Sequence, residues 1–450
     1  MSSPLIHICV LGVLLFLGVV LRTRVRLFKT YFIPASLITG CIGLALGQYG
    51  FGILSNEMQE TFASLPPALI SIVFAPMLMG IQLPKGKDVA GLVAPQLLFG
   101  YIGDFLLVSI PLLITGLVIM PVWNVDGIFG SLIEIGFVGG HGTAAGMGEV
   151  FADLGWSEGG ALALTTATIG LFAGIVCGMV IINIGVRNGH VSALQSTDKI
   201  ASKTSADIIP KQEQPAGAFV TINKEVVEPL AFHFGLIALA IMVGMVLLYL
   251  LERATGLNLP LFPMAMIGGL LVQKLLAGTR YAEAIDRGTL NLIQGLALEL
   301  LIVSAIATIE VPVVIAYALP LLLISAVSLA TLLFHFYYLG PRIFRTQWFE
   351  HSIVNFGVLA GVTAVGLMLL RTVDPDMKSD AAKAYAMRAP FISPFVGGGL
   401  LTSVLPLLVS SYGAVTTGSA FLMACAALLV IARAAGFWSK PAMQGAMLIV

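Results

Sequence analysis

The residues best equipped for chemistry in this chain lie in apolar surroundings. His141 and Thr143 belong to the segment Gly136-Phe137-Val138-Gly139-Gly140-His141-Gly142-Thr143-Ala144-Ala145-Gly146-Met147. Glycine at 139, 140 and 142 leaves backbone amides uncovered, and such donors in a water-poor setting hold an anionic carboxylate. His141 can donate to that carboxylate or cap a broken segment; the competing reading is a buried neutral imidazole bonded to a nearby carbonyl. Thr143 can bond a substrate or a cation, or bond back to a helical carbonyl. A looser copy, Phe356-Gly357-Val358-Leu359-Ala360-Gly361-Val362-Thr363-Ala364-Val365-Gly366-Leu367-Met368, brings Gly361 and Thr363 to matching places. Arg371 closes it and either pairs bidentately with a substrate carboxylate or snorkels to the inner face.

A second set of candidates is acidic. Asp104, Glu134 and Glu299 stand inside apolar runs, where ionisable groups are costly and mark functional sites. Together with Thr168 and Asn355 they offer the hard oxygen donors that sodium prefers, and Asp104 or Glu299 can equally carry a proton. The competing reading is that each bridges two helices. No catalytic pair accompanies them. His-Glu-x-x-His is absent, and Tyr101-Ile102-Gly103-Asp104 lacks the glycine-any-glycine-aspartate string of the aspartyl membrane proteases, so an enzyme is not expected.

The elements that must position these groups are membrane spans. Hydrophobic residues make up 58% of the 450 and charged residues 10%, with a mean hydropathy of +1.00. A soluble fold has too few charges here to cover so much apolar surface. Net charge is zero, which argues against nucleic acid as a partner. Cys9, Cys41, Cys177 and Cys425 show no paired spacing and read as small packed hydrophobes. Apolar runs predict crossings at 5–21, 31–50, 66–83, 91–119 and 160–186, then at 231–251, 258–276, 289–309, 312–339 and 389–410, with one extra span at 413–435. The glycine segments occupy 127–148 and 350–370.

With the amino terminus outside and the carboxyl terminus inside, every lysine and arginine except Arg253 falls on the inner side. A complete crossing by either glycine segment would destroy that bias, so each is expected to enter and leave on one face. Ile33-Pro34-Ala35-Ser36-Leu37-Ile38-Thr39-Gly40 parallels Phe262-Pro263-Met264-Ala265-Met266-Ile267-Gly268-Gly269. Five spans per half is an odd number, which makes the halves inverted. The expected fold is therefore an all-α membrane protein of two inverted five-helix repeats, 1–186 and 231–410, each with a re-entrant glycine-rich segment. A cytoplasmic linker at 187–230, holding Gln195-Ser196-Thr197-Asp198-Lys199, reads as a flexible connector, and 411–450 adds a further helix and tail. His233, His335 and His351 fall near span ends and read as interfacial.

Gly139-Gly140-His141-Gly142-Thr143 after an apolar run, with Ala167-Thr168-Ile169-Gly170-Leu171 in the next span, resembles the bacterial sodium/glutamate symporters. The likeness covers most of the chain, through span order, central loop and paired segments, and is looser at the second segment. It implies sodium-coupled uptake of glutamate by alternating access, with sodium as coupling ion and no other cofactor. It also implies a homodimer among the lipids of the bacterial inner membrane. The alternative is a sodium- or proton-coupled carrier of another organic anion, such as a di- or tricarboxylate; a channel or an intramembrane hydrolase is less favoured.

Overall fold

The computed structural model of the chain describes residues 4–30, 33–80, 87–191, 209, 211, 214, 216–256, 259–374 and 379–438. Most of the linker, including Gln195 to Lys199, lies outside the described residues, as do Lys85, Lys378 and Lys440. Among the described residues the chain is helical throughout, with no strand. The helices are α1 (Pro4–Arg24), α2 (Ala35–Leu46), α3 (Asn56–Phe74), α4 (Gly91–Trp123), α5 (Gly140–Gly146), α6 (Gly148–Asp153), α7 (Gly159–Arg187) and α8 (Pro229–Thr255). They continue as α9 (Leu261–Leu276), α10 (Arg287–Ala307), α11 (Ala318–Ile343), α12 (Trp348–Val373), α13 (Asp380–Ile392), α14 (Leu400–Tyr412) and α15 (Ala414–Ala434). Eight of these, α1, α4, α7, α8, α10, α11, α12 and α15, are long and apolar enough to cross a membrane.

Several elements differ from the spans expected of the sequence. The crossing expected at 66–83 is α3, which starts at Asn56 because Ser55 caps it, accepting from the Met58 N–H at 3.3 Å. The last expected repeat span, 389–410, is two helices, α13 and α14, separated by an unwound stretch at Gly397-Gly398-Gly399. Part of the linker is held rather than loose: the Phe219 N–H donates to Asp286 at 3.2 Å and the Thr221 hydroxyl to the Ala284 carbonyl at 2.7 Å. The cysteines are free as expected, but Cys9 and Cys41 lie exposed on their helices rather than packed.

Packing divides the helices into two groups. In one, α1, α2 and α3 pack with α8, α9 and α10; in the other, α4, α7, α11, α12, α13 and α15 pack together. Missing side chains set the close approaches. Cβ atoms on Gly40 and Gly43 of α2 would stand 2.6 and 2.7 Å from Ile306 and Ala307 of α10. In the second group, Gly170, Gly174 and Gly178 form a stripe on α7 against Ala360 and Leu369 of α12. Close backbone approach of this kind drives association where lipid removes any hydrophobic incentive. Helix α5 spans the boundary, touching α7 on one side and α3 and α10 on the other.

The histidines expected at the interface are instead buried. His233 donates from Nδ1 to the Pro229 carbonyl at 2.7 Å and accepts the Asp286 N–H at 2.8 Å. His335, on a π-turn inside α11, donates to the Phe99 carbonyl of α4 at 2.9 Å. His351 of α12 meets Gln96 of α4 at 3.1 Å. Sequence position near a span end placed them at the membrane surface; helix packing turned their rings inward.

Candidate functional site

Both glycine segments are broken, each by an unusual backbone conformation. The first runs through a 3₁₀ turn (Gly127–Ser131) and a π-turn (Glu134–Val138) before α5, and Gly140 adopts φ +71° at the join. The second breaks at Gly361 (φ −153°, ψ 40°) and Val362 (φ +64°, ψ 173°) inside α12. A positive φ at a β-branched residue is a genuine outlier and persists only when surrounding structure enforces it. Here the two arms of α12 fold back on one another. A Cβ on Gly357 would lie 2.6 Å from Gly366 Cα, and one on Gly366 would lie 2.6 Å from the Val354 carbonyl oxygen. Residues nine apart on a continuous helix are far too distant for that.

The two breaks meet. A Cβ on Gly140 would stand 2.2 Å from Val362 Cγ1, so the valine side chain occupies the space that Gly140 leaves open. At this junction Thr363 and Ala364 are exposed and Val362 is partly so. The arm that begins after Val362 has first-turn N–H groups with no acceptor within the arm, the donor pattern that suits an anion. Next to the first segment, a cavity of about 450 Å³ separates α5 and α6 from α3 and α9 and is lined by Ile70, Ser71, Gly146, Glu149 and Phe262, among others.

His141 and Thr168 are joined. The Thr168 hydroxyl donates to the Leu164 carbonyl at 3.0 Å, so at 2.9 Å the His141 Nε2–H donates to Thr168 Oγ1. The neutral ring then has only an acceptor left, at Nδ1, which suits an ammonium group better than a carboxylate. Thr143 is buried and bonds back to the Gly139 carbonyl at 2.9 Å, the bland alternative foreseen for it. It also packs against the unwound tract: a Cβ on Gly398 would come within 2.5 Å of Thr143 Oγ1.

Asp104 and Glu134 are brought together. Both side chains are 0% exposed, and their carboxyl groups approach to hydrogen-bonding reach of one another. Glu134 Oε1 accepts from the Thr402 hydroxyl at 2.8 Å and the Gly397 N–H at 3.4 Å, and Thr402 in turn accepts from the Gly398 N–H at 3.2 Å. Beside them sits Arg388, 2% exposed, which donates to Asn355 Oδ1 and to the Gln96 carbonyl at 3.4 Å. Its guanidinium lies 4.8 Å over the Tyr385 ring, and the Tyr385 hydroxyl is 3.3 Å from Thr363 at the second break.

Two expected residues fall outside these clusters. Glu299 is exposed on α10 and Arg371 is exposed at the end of α12. Asn355 is committed to Arg388 and, through Nδ2, to the His351 carbonyl at 2.7 Å. Sequence reading missed Arg388, which was counted with the inner-face cations, and it missed Thr402 and Gly397 to Gly399. The triple glycine inside an apolar span was the available signal for the last of these. Arg388 carried none, because a basic residue next to a span normally lies in the headgroup layer.

The model for the sodium/glutamate symporter family matches residues 3–347 of the chain. No curated protein matches the chain.

Proposed function

The chain belongs to the sodium/glutamate symporter family, and from that premise we propose that it imports glutamate with sodium by alternating access across a bacterial inner membrane. The observation that carries this reading is the meeting of two broken glycine segments at Gly140 and Val362. The sequence parallel between α2 and α9 supports two inverted repeats, and the folded-back arms of α12 support a segment that enters and leaves on one face. The substrate carboxylates are held by backbone amides at the breaks, with Gly139 to Thr143 on one side and Gly361 to Thr363 on the other. His141 Nδ1 faces the substrate ammonium. Arg371 is assigned no contact with substrate. The group carrying α4, α7, α11 and α12 then moves against the group carrying α1–α3 and α8–α10, and the protein works as a homodimer.

The test is a thermal-shift screen of purified protein against amino acids and dicarboxylates, with sodium or choline as the cation. A ligand that binds the native state raises apparent stability with concentration over affinity. Sodium-dependent stabilisation by glutamate supports the proposal, and stabilisation by a dicarboxylate alone reassigns the substrate. No shift with any amino acid or carboxylate refutes the carrier reading.

A further inference from the structure

The cavity beside the first glycine segment has no part in holding glutamate at the breaks. Ile70 stands between: its side chain lies 3.4 Å from where a Cβ on Gly142 would be and 3.0 Å from one on Gly146, and none of His141, Thr143 and Val362 lines the cavity. The walls come from both packing groups. Ile70 of α3, Leu248 of α8 and Phe262 of α9 face Glu149 and Asp153 of α6 and Leu407 of α14. At about 450 Å³ the space falls within the roughly 300–1,000 Å³ of pockets that enclose drug-sized molecules, whose usual lining is an apolar wall with a few polar groups. The charge here is of one sign. Glu149 and Asp153, both exposed, stand four residues apart and so share one face of α6, and no residue of the lining is basic. Carboxylates at that spacing repel each other, and a cation held against both relieves the repulsion. The start of α9 also faces the cavity and has the opposite preference, but a helix N-terminus carries about half a charge against two full ones.

We propose that this cavity binds an amphiphilic amine, with its protonated nitrogen against Glu149 and Asp153 and its apolar body along Ile70, Leu248 and Phe262. The lining specifies the class. The two carboxylates repel an anion such as glutamate. A bare inorganic cation would satisfy them but leave the apolar wall against water, which costs free energy in proportion to its area. One molecule with a cationic head and a hydrocarbon or aromatic body meets both demands. The site itself does not depend on the carrier reading, but its consequence does. An occupant wedged between α6 and α14 on one side and α3 and α8 on the other opposes any movement of the two groups against each other, so it inhibits a carrier that works by that movement.

The experiment uses the purified full-length chain in lipid nanodiscs, without sodium or any amino acid. Equilibrium binding is measured for three probes with the same body, phenylbutylamine, phenylbutanol and phenylbutanoate, and uptake by empty nanodiscs is subtracted. The amine is expected to bind saturably, the alcohol at least tenfold more weakly, and the carboxylate without saturation. Glu149→Gln combined with Asp153→Asn should remove the preference for the amine over the alcohol. Glu158→Gln, which changes a carboxylate at the start of α7 outside the cavity, should leave that preference intact. Leu248→Trp fills the space and should abolish binding of amine and alcohol alike, which keeps a readout if the double variant cannot be isolated. Equal binding of amine and alcohol by the wild type overturns the site, as does an amine preference that survives the double variant or Leu248→Trp, because the probe is then only partitioning into lipid or binding elsewhere. Amine binding that meets these criteria in a protein that takes up no glutamate leaves this site standing and removes the carrier reading. Sodium-driven glutamate uptake by a protein with no saturable amine binding does the reverse.

Discussion

The side chain of Val362 stands where a β-carbon on Gly140 would be, 2.2 Å from its ideal position, and both residues have positive φ. One broken segment is shaped to the other at this point.

Gly140→Ala is therefore expected to reduce sodium-dependent uptake at least tenfold, from the clash and from a left-handed backbone that costs an L-residue about 1–2 kcal/mol. Adding Val362→Gly removes the clash but leaves the backbone cost, so the double variant recovers part of the activity. Gly235→Ala, on α8, serves as the control. Its Cβ would meet nothing within 4 Å, and uptake should stay within about twofold of the wild type, consistent with the small effects of changes that force no rearrangement. Uptake by cells, corrected for protein in the membrane, checks all three.

The folded-back arms of α12 make a stability prediction. Gly366→Val places carbon against the Val354 carbonyl and Val358 side chain, and overpacking of this kind costs about 1–3 kcal/mol. Thermal unfolding in detergent should show a lowered Tm whether or not sodium is present. An unchanged Tm would mean that the arms are not packed as described.

His141 needs the hydroxyl of Thr168. Thr168→Val leaves the imidazole N–H buried without an acceptor, a penalty of about 1–3 kcal/mol, and frees the ring to rotate. Glutamate affinity is expected to fall while Thr168→Ser retains it. Equal loss in both variants would assign the effect to packing instead.

Arg388 lies within electrostatic reach of Asp104 and donates to Asn355. Arg388→Met removes that charge and leaves Asn355 Oδ1 buried without its donor, a penalty of about 1–3 kcal/mol. Asp104→Asn in the same protein restores the balance and should return part of the lost Tm. Additive losses in the double variant would show that the two groups do not interact.

Outside the membrane, Asp286 caps α10, accepting from the Thr289 N–H at 2.7 Å and the Thr289 hydroxyl at 2.8 Å. Burial opposes its charge, but these bonds and those from Phe219 and Gly288 outweigh it and hold the carboxyl below its usual range. A depressed value means that the stability is present above the unfolded value of about 4 and is lost as pH falls through the folded one. Asp286→Ala should lower stability by about 1 kcal/mol at neutral pH, typical of a lost cap. That difference should shrink as the pH is taken below about 4. A difference independent of pH would rule out the charged cap.

Much of this protein was legible from residue types alone. Hydropathy determined that it is a helical membrane protein, because the length of an apolar run and the thickness of a bilayer are both local quantities. The glycine segments were legible for the same reason, as were Asp104 and Glu134, whose cost in an apolar run does not depend on what they meet. What they meet was decided by tertiary structure. Arg388 reads as a surface cation until α13 folds against α4 and buries it beside Asn355; Glu299 reads as buried until α10 turns it outward. Thr402 reads as one more small residue until an unwound glycine tract carries it to Glu134. Helical sequence encodes spacing along one axis, whereas the direction in which a side chain points is set by which neighbour packs on which face. The site depends on that second kind of information: two breaks 222 residues apart, at Gly140 and Val362, become one place only when the helices that carry them are assembled.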